Sequence, residues 1–501
     1  MRFIFQITIH HLLFTTYYSP FLMPASPARQ VAYQILRRVE AGRGFAIDLL
    51  QGRRVSALKD ADRRLAMELV MGVLRWLGEL DFRIEQVSGQ RLRSFDPEVL
   101  TLLRMGVFQI RFLAKIPKPA IVNDAVELTK VARKRSAAGL VNAVLRKCNP
   151  PAVRLGSVRF EEVEPEGIEA VQRTVPRWLF ERWAARTWPR SASAEGLTSA
   201  ETALRLTWAS TQVPPVILRV AADTGREALA AELAQEGITT APGAFSRFAL
   251  VVKWGNIHSA RAWREGRVVM QDEASQLVAE LVAPQPGQRV LDLCAAPGMK
   301  AGLLAQFLQR GTLTVCDLST ARLRTLGKLL PPLIPPGVKL QQLQLDATRE
   351  LPFGSWFDRI LLDAPCSGTG TLARNPEIKW RLQPRELARH AETQMKMLRH
   401  ALPLLAPGGR LVYTTCSLEP EENEQVVEAV LSEAPAFRKL TSAELTREFP
   451  VFGPLFDADG YFRTRPDLHR MDGFFAAVMV PDRSPNSSAH KPELDEPTPT
   501  L

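Results

Sequence analysis

Apolar residues recur every three to four positions through the N-terminal part of the chain. Val31, Ile35, Leu36 and Val39 mark one helical face, Leu65, Leu69, Val73 and Leu77 a second, and Leu140, Val141, Val144 and Leu145 a last one. Val122, Val126 and Leu128 lead into a further helix. Asp60 and Asp62 suit a helix start, because carboxylates favour the positive end of the helix dipole. Asn149-Pro150-Pro151 closes the block. Strand-like alternation is absent, so the pattern predicts an all-helical domain over residues 27–150.

The pattern then changes twice. Residues 151–212 are acidic, then rich in Trp and Arg, and read as helical; Trp178, Trp183 and Trp188 are expected to pack helices rather than stack on bases. Val216–Val220 and Phe248–Val252 read as strands flanking a helix over Arg226–Gln235, which predicts a small α+β subdomain within residues 151–269. From about Val269 onward, strands and helices alternate. The predicted strands are Arg289–Cys294, Thr312–Asp317, Lys339–Leu345, Asp358–Asp363, Gly409–Thr415 and Gly473–Val480. Such alternation gives an α/β doubly wound, mostly parallel sheet with ligand crevices at the strand C-termini, here over residues 270–481. The last segments fit an antiparallel edge pair. Residues 482–501 lack apolar periodicity and read as a disordered tail.

Residues 1–26 read as an unstructured extension. Residues 1–22 are apolar and aromatic, yet His10 and His11 interrupt the run, Arg2 is the sole n-region charge, and no small-residue cleavage site follows. A secretory signal is therefore not expected, and Met23 is a plausible start. No stretch approaches the roughly 18–20 apolar residues of a membrane span. The 5 cysteines form neither a disulfide framework nor a metal-ligand spacing, which fits a reducing cytoplasm and no bound metal.

Charge changes the picture more than composition does. Between residues 28 and 150 there are 23 Lys+Arg against 12 Asp+Glu, an excess equal to the whole chain's net charge of +11. Charge runs are usually solvated helix surface, but the concentration of the entire excess in one block favours a polyanion partner, nucleic acid.

The chemistry lies downstream. Leu291-Asp292-Leu293-Cys294-Ala295-Ala296-Pro297-Gly298-Met299-Lys300 joins a strand to a helix through small residues, as a cofactor loop does. It is neither GxGxxG nor a P-loop. Asp317 ends the next strand, where an acidic side chain commonly holds ribose hydroxyls, and Asp346 follows the third, placed for an adenine edge. Singly, each Asp reads as a cap or turn residue; three at successive strand ends make a cofactor site. The fourth strand ends in Asp363-Ala364-Pro365-Cys366 and the fifth in Thr415-Cys416. A lone strand cysteine is usually an inert small hydrophobe, and Cys148, Cys294 and Cys316 are read that way. Two thiols beside a cofactor loop suggest a carbon methyltransferase that attacks its substrate covalently. Addition of a thiolate to C6 of a cytosine makes C5 nucleophilic enough to accept a methyl group. A free thiol has a pKa of about 8.5, so a positive neighbour is required, and Lys300 and Lys379 are the candidates.

These segments resemble the bacterial Sun/Fmu (RsmB) family of 16S ribosomal RNA cytosine-C5 methyltransferases. Besides the Asp292–Lys300 loop, the matching segments are Gln271–Gln276, Asp363–Thr371, Arg374–Trp380, Tyr413–Ser417 and Asp472–Ala476. In the helical block, Asn123–Leu128 and Val141–Arg146 resemble the NusB-like domain that opens this family. The resemblance implies a class I (Rossmann-like) fold, S-adenosyl-L-methionine as cofactor, 16S rRNA as partner, and a cytoplasmic enzyme, taken as monomeric. It implies that Cys416 is the nucleophile, that Cys366 assists product release, and that Asp363 contacts the cytosine N3 edge. Cysteine 294 through Lys300 (Cys294, Ala295, Ala296, Pro297, Gly298, Met299, Lys300), with Asp317, Asp346 and Asp363, would contact the cofactor. Met299 departs from the family's usual Gly and puts the loop's local geometry in question. Competing readings are a tRNA cytosine-C5 methyltransferase and a non-catalytic rRNA-binding assembly factor. Glu422-Asn423-Glu424 is not the Glu-Asn-Val motif of DNA enzymes.

Overall fold

The computed structural model describes residues 25–149, 160–189, 196–221 and 224–482. Most of the proposed extension and tail therefore lies outside the described residues.

Eight helices form the N-terminal block: Pro27–Glu40, Ala46–Leu50, Arg53–Ser56, Asp60–Arg75, Leu77–Ser88, Pro97–Phe112, Lys118–Val131 and Ala138–Lys147. Proline opens the first turn of Pro27–Glu40 and Pro97–Phe112, where no intrahelical N–H is lost. The apolar faces read from sequence converge on one core that includes Leu36, Leu69, Val73, Leu102, Phe108 and Leu145. Close packing sets the sequence here: a Cβ on Gly72 would sit 1.9 Å from the Phe108 ring, so only glycine lets those helices approach.

Helices Pro165–Gln172, Arg177–Ala185 and Ser199–Thr211 lead out of the block. Trp183 is buried in a cluster with Leu179, Ala203 and Leu206 of these helices, and its indole N–H donates to Glu419 at 3.0 Å. A four-stranded antiparallel sheet follows, built from β1 (Val216–Val220), β2 (Thr239–Pro242), β3 (Ala249–Trp254) and β4 (Val268–Met270) in the order β2-β3-β1-β4. Sequence pattern reveals β1, β3 and the intervening helix but not β2 and β4. Both are short edge strands, and β2 ends in Pro242.

The large sheet comprises β5 (Arg289–Leu293), β6 (Arg310–Asp317), β7 (Gly337–Gln344), β8 (Phe357–Asp363), β9 (Leu405–Thr415), β10 (Phe437–Lys439), β11 (Phe462–Arg463) and β12 (Phe475–Pro481). Its order is β10-β12-β9-β8-β5-β6-β7, with β11 paired to β12. The strands β7, β6, β5, β8 and β9 run parallel, whereas β12 is antiparallel to β9. Apolar cores cover both faces, which explains the near-continuous hydrophobic runs of β5 and β8. Chain order reverses at β5/β8, so the crevice of a doubly wound sheet opens there. Among the described residues, no helix is long and apolar enough to cross a membrane.

Candidate active site

The β8–β9 register fixes the geometry of the two thiols. Asp363 pairs with Thr414, so Cys366 and Cys416 emerge side by side beyond the C-terminal ends of adjacent strands. Their sulfurs lie 3.2 Å apart. The hydrogen bond to Cys416 and burial push the Cys366 thiol well above its usual range, and the Glu422 carboxylate adds to this.

The cofactor-type loop is held from three directions. Cys294 adopts a left-handed φ of 66° and Gly298 one of 107°, which turn the chain from β5 into helix Met299–Leu308. Ala295 N–H donates to Cys316 O at 2.8 Å, tying the loop to β6. Arg322 donates to Ala296 O at 2.8 Å and pairs with Asp317 at 3.2 Å. Arg219 of β1 donates to Met299 O at 2.5 Å and to Gln271 at 2.7 Å. Met299 opens a regular helix, so its departure from Gly leaves the turn intact; Gly298 carries the unusual backbone angle.

A cleft of about 510 Å³ opens beside this loop. Ala295, Ala296, Pro297, Met299, Lys300 and Asp363 all line it. Cys294, Gly298, Asp317 and Asp346 are not part of that lining. Cys294 packs against the core instead, and burial raises its thiol pKa, with Asp363 adding to the effect. Asp317 accepts from Ser319 N–H at 2.9 Å, and Asp346 accepts from Thr348 N–H at 3.0 Å. Burial likewise pushes Cys316 up to about 12, and it raises Cys148. With Cys366, four of the five thiols are thus poor nucleophiles.

Lys300 and Asp363 form the polar centre of the cleft. Nζ donates to Asp363 Oδ2 at 2.8 Å and lies 4.9 Å from the centre of the Phe474 ring. Burial opposes the ammonium charge, but Asp363, Cys416 and Asp292 together more than offset it, so Lys300 is raised above the usual lysine range. Lys379, the other sequence candidate, is far from this role. Its Nζ is fully buried and donates to Arg75 O at 2.9 Å and Ser210 Oγ at 3.4 Å, joining the helical block to the catalytic domain. Burial drives its pKa well below the usual value, and nearby Arg75 adds to that.

Four side chains that shape the site are not legible as site residues in the sequence. Arg374 donates to Asp272 at 2.7 Å and Asp472 at 2.9 Å, closing one wall of the cleft. Burial, with Asp272 nearby, raises Asp472 to about 7. Arg219 has no counter-charge among the described residues, and burial lowers it to about 10. Glu422 lies buried behind both thiol loops. Arg374 and Asp472 fall inside motif segments; Glu422 and Arg219 have no signal short of the fold.

A doubly wound sheet with an antiparallel strand inserted at one edge, a small-residue loop after its first strand, and acidic residues at successive strand ends defines a class I methyltransferase. The NusB family matches residues 26–150, and the family described as 16S rRNA methyltransferase RsmB/F matches residues 279–480. A probable ribosomal RNA small subunit methyltransferase B from Bacillus subtilis is 31% identical over 460 residues, covering 91% of this chain and 99% of that protein. The ribosomal RNA small subunit methyltransferase B of Pseudomonas putida is 33% identical over 427 residues, covering 83% and 91% respectively. The crystal structure of PH0851 shares the fold with a TM-score of 0.69 at 23% identity, over 91% of this chain and 99% of that one. A methyltransferase homologue from Pyrococcus horikoshii superposes with a TM-score of 0.51 at 27% identity, over 63% of this chain and 99% of that one. The chain belongs to the RsmB/F family of rRNA methyltransferases and is an enzyme of that class.

Proposed function

We propose that this enzyme methylates C5 of a specific cytosine in small-subunit (16S) rRNA, through a covalent bond between Cys416 and C6 of the base. The observation that carries this reading is the pair of thiols 3.2 Å apart at the C-terminal ends of adjacent strands, beside the Lys300–Asp363 pair. S-adenosyl-L-methionine supplies a methyl group activated by a sulfonium sulfur. The cleft suits such a ligand: Asp292 is fully buried, neither of its carboxylate oxygens has a hydrogen-bond partner among the described residues, and it lines the cleft. That orphaned acid is suited to a cationic ligand group. Loop residues 294–300 would hold the cofactor, with Asp317 on its ribose and Asp346 at its adenine, both acids meeting it beyond the lining of the cleft.

In this reading Cys416 adds as thiolate to C6, and the ring's electron pair moves toward C5 and N3. Asp363, paired with Lys300, holds the N3 edge, and the pair hands N3 a proton as negative charge builds there and takes it back after methyl transfer. Once C5 carries the methyl group, transfer of the C5 proton to a base, for which solvent water can serve, restores the C5–C6 double bond and expels Cys416 with its electron pair. Cys366, held beside it as a thiol, assists that release. The target base must leave its stack to reach the cleft, while the basic helical block grips phosphates.

The test is transfer of labelled methyl from S-adenosylmethionine to protein-free small-subunit rRNA, with Cys416→Ala in parallel. Label on cytosine C5 that disappears in Cys416→Ala supports the reading. Label on tRNA alone moves the substrate, and no label on any RNA favours a non-catalytic assembly factor.

A further inference from the structure

Each thiol is followed directly by a serine, and one buried carboxylate holds both serines. Glu422 accepts from Ser367 N–H at 2.8 Å, from the Ser367 hydroxyl, and from the Ser417 hydroxyl at 2.5 Å. Gln394 Nε2 donates to the same carboxylate at 3.2 Å and to Pro365 O at 2.9 Å. The two hydroxyl oxygens lie 3.1 Å apart. Next in the chain, Asn423 accepts from Thr415 Oγ1 at 2.5 Å and donates to Ser417 O at 3.0 Å, bracketing Cys416 on both sides. Among the described residues, no Lys or Arg pairs with Glu422. Its charge is held by neutral donors alone, so its hydrogen bonds are charge-assisted and its position is tightly specified.

We propose that Glu422 is the positioning residue of the two-thiol chemistry: by clamping Ser367 to Ser417, its carboxylate fixes the spacing of Cys366 and Cys416 on which adduct formation and release both depend. The inference rests on the reading of this site as a two-thiol methyltransferase centre. It adds no covalent step; Glu422 touches neither base nor cofactor and acts through the serines. A second effect supports it. The carboxylate's negative charge favours the protonated form of Cys366, which keeps the two neighbouring sulfurs from ionising together.

The test is Glu422→Gln in the full-length chain, which keeps shape and removes charge. Misplacement of reacting groups by about 1 Å costs roughly 100-fold in rate. A kcat lower by about 10- to 100-fold is therefore expected, with KM for rRNA and for S-adenosylmethionine each within about twofold. The limb of the kcat–pH profile on which activity falls as Cys366 ionises should also move to lower pH, because the carboxylate that favours its protonated form is gone. Ser417→Ala, which loses one clamped hydroxyl, should lower kcat without that pH shift and carries the test if Glu422→Gln does not fold. Unchanged kcat in Glu422→Gln overturns the proposal, as does a uniform loss of kcat and KM with an unshifted pH limb. A wild-type chain that labels no RNA overturns the underlying reading, and this role with it, whatever the variant does.

Discussion

At the scale of single residues, environment separates side chains that look alike in the sequence. Five cysteines are present; burial silences Cys148, Cys294 and Cys316, while adjacent-strand register brings Cys366 and Cys416 together. The thiol pair was legible because both cysteines follow recognisable strands. Glu422 was not, because its partners lie on two different loops that only the β8–β9 pairing brings together. Asp292 makes a testable point of its own. Burial raises its pKa well above the usual range, and Asp363 nearby adds to this. If it receives a cationic part of the cofactor, Asp292→Asn should weaken S-adenosylmethionine binding by roughly 10- to 100-fold, the range of one hydrogen bond to a charged group. Isothermal titration checks this; unchanged affinity would remove Asp292 from the cofactor site.

At the scale of elements, strand positions read from hydrophobic runs agree with β5 to β9 and β12 within a few residues, because strands buried on both faces are continuously apolar. The largest difference is β9, which begins at Leu405 rather than Gly409, since Leu405 pairs with Phe357 across an irregular register. The short helices Ala46–Leu50 and Arg53–Ser56 carry too few turns to show a period. Helix Glu273–Leu281 offers a pH-dependent prediction. Burial lifts its Glu280 to about 7, partly offset by Arg247. A carboxyl raised in the folded state makes stability fall as pH rises from the ordinary carboxylate range to about 7, where the unfolded chain is already ionised. Glu280→Gln should therefore stabilise the protein at pH 8 by up to about 3 kcal/mol and have little effect near pH 4. Denaturant unfolding at the two pH values measures this; an equal effect at both would rule out the titration as its cause.

Across the whole molecule, the segment Ala373–Arg381 straps the helical block to the catalytic domain. Arg75 donates to Ala373 O at 3.0 Å, Ala46 N–H to Glu377 at 2.6 Å, Trp380 to Leu74 O at 3.2 Å, and Arg381 to Val39 O at 2.7 Å. Nothing in the local sequence tells a buried strap lysine from a catalytic one, which is why Lys379 reads as a thiol activator until its partners, over 160 residues away, are seen. Removing residues 27–150 therefore strips buried polar groups of their partners as well as removing the basic surface. Thermal unfolding should show a catalytic fragment much less stable than the full chain, since each unmatched buried group costs about 1–3 kcal/mol; equal melting temperatures would contradict the strap. Point substitutions at exposed basic residues with no ion pair among the described residues, such as Arg38, Arg43, Arg53, Arg91 and Lys147, are the cleaner probe. They should weaken rRNA binding and flatten its salt dependence without altering cofactor affinity.

The division of labour between the thiols is tested most directly by trapping. Cys366→Ala incubated with small-subunit rRNA and S-adenosylmethionine should accumulate a covalent protein–RNA complex that survives a denaturing gel, and Cys366→Ala/Cys416→Ala should form none. A complex that persists without Cys416, or turnover by Cys416→Ala at the wild-type rate, would contradict the assignment of Cys416 as nucleophile and Cys366 as the releasing thiol.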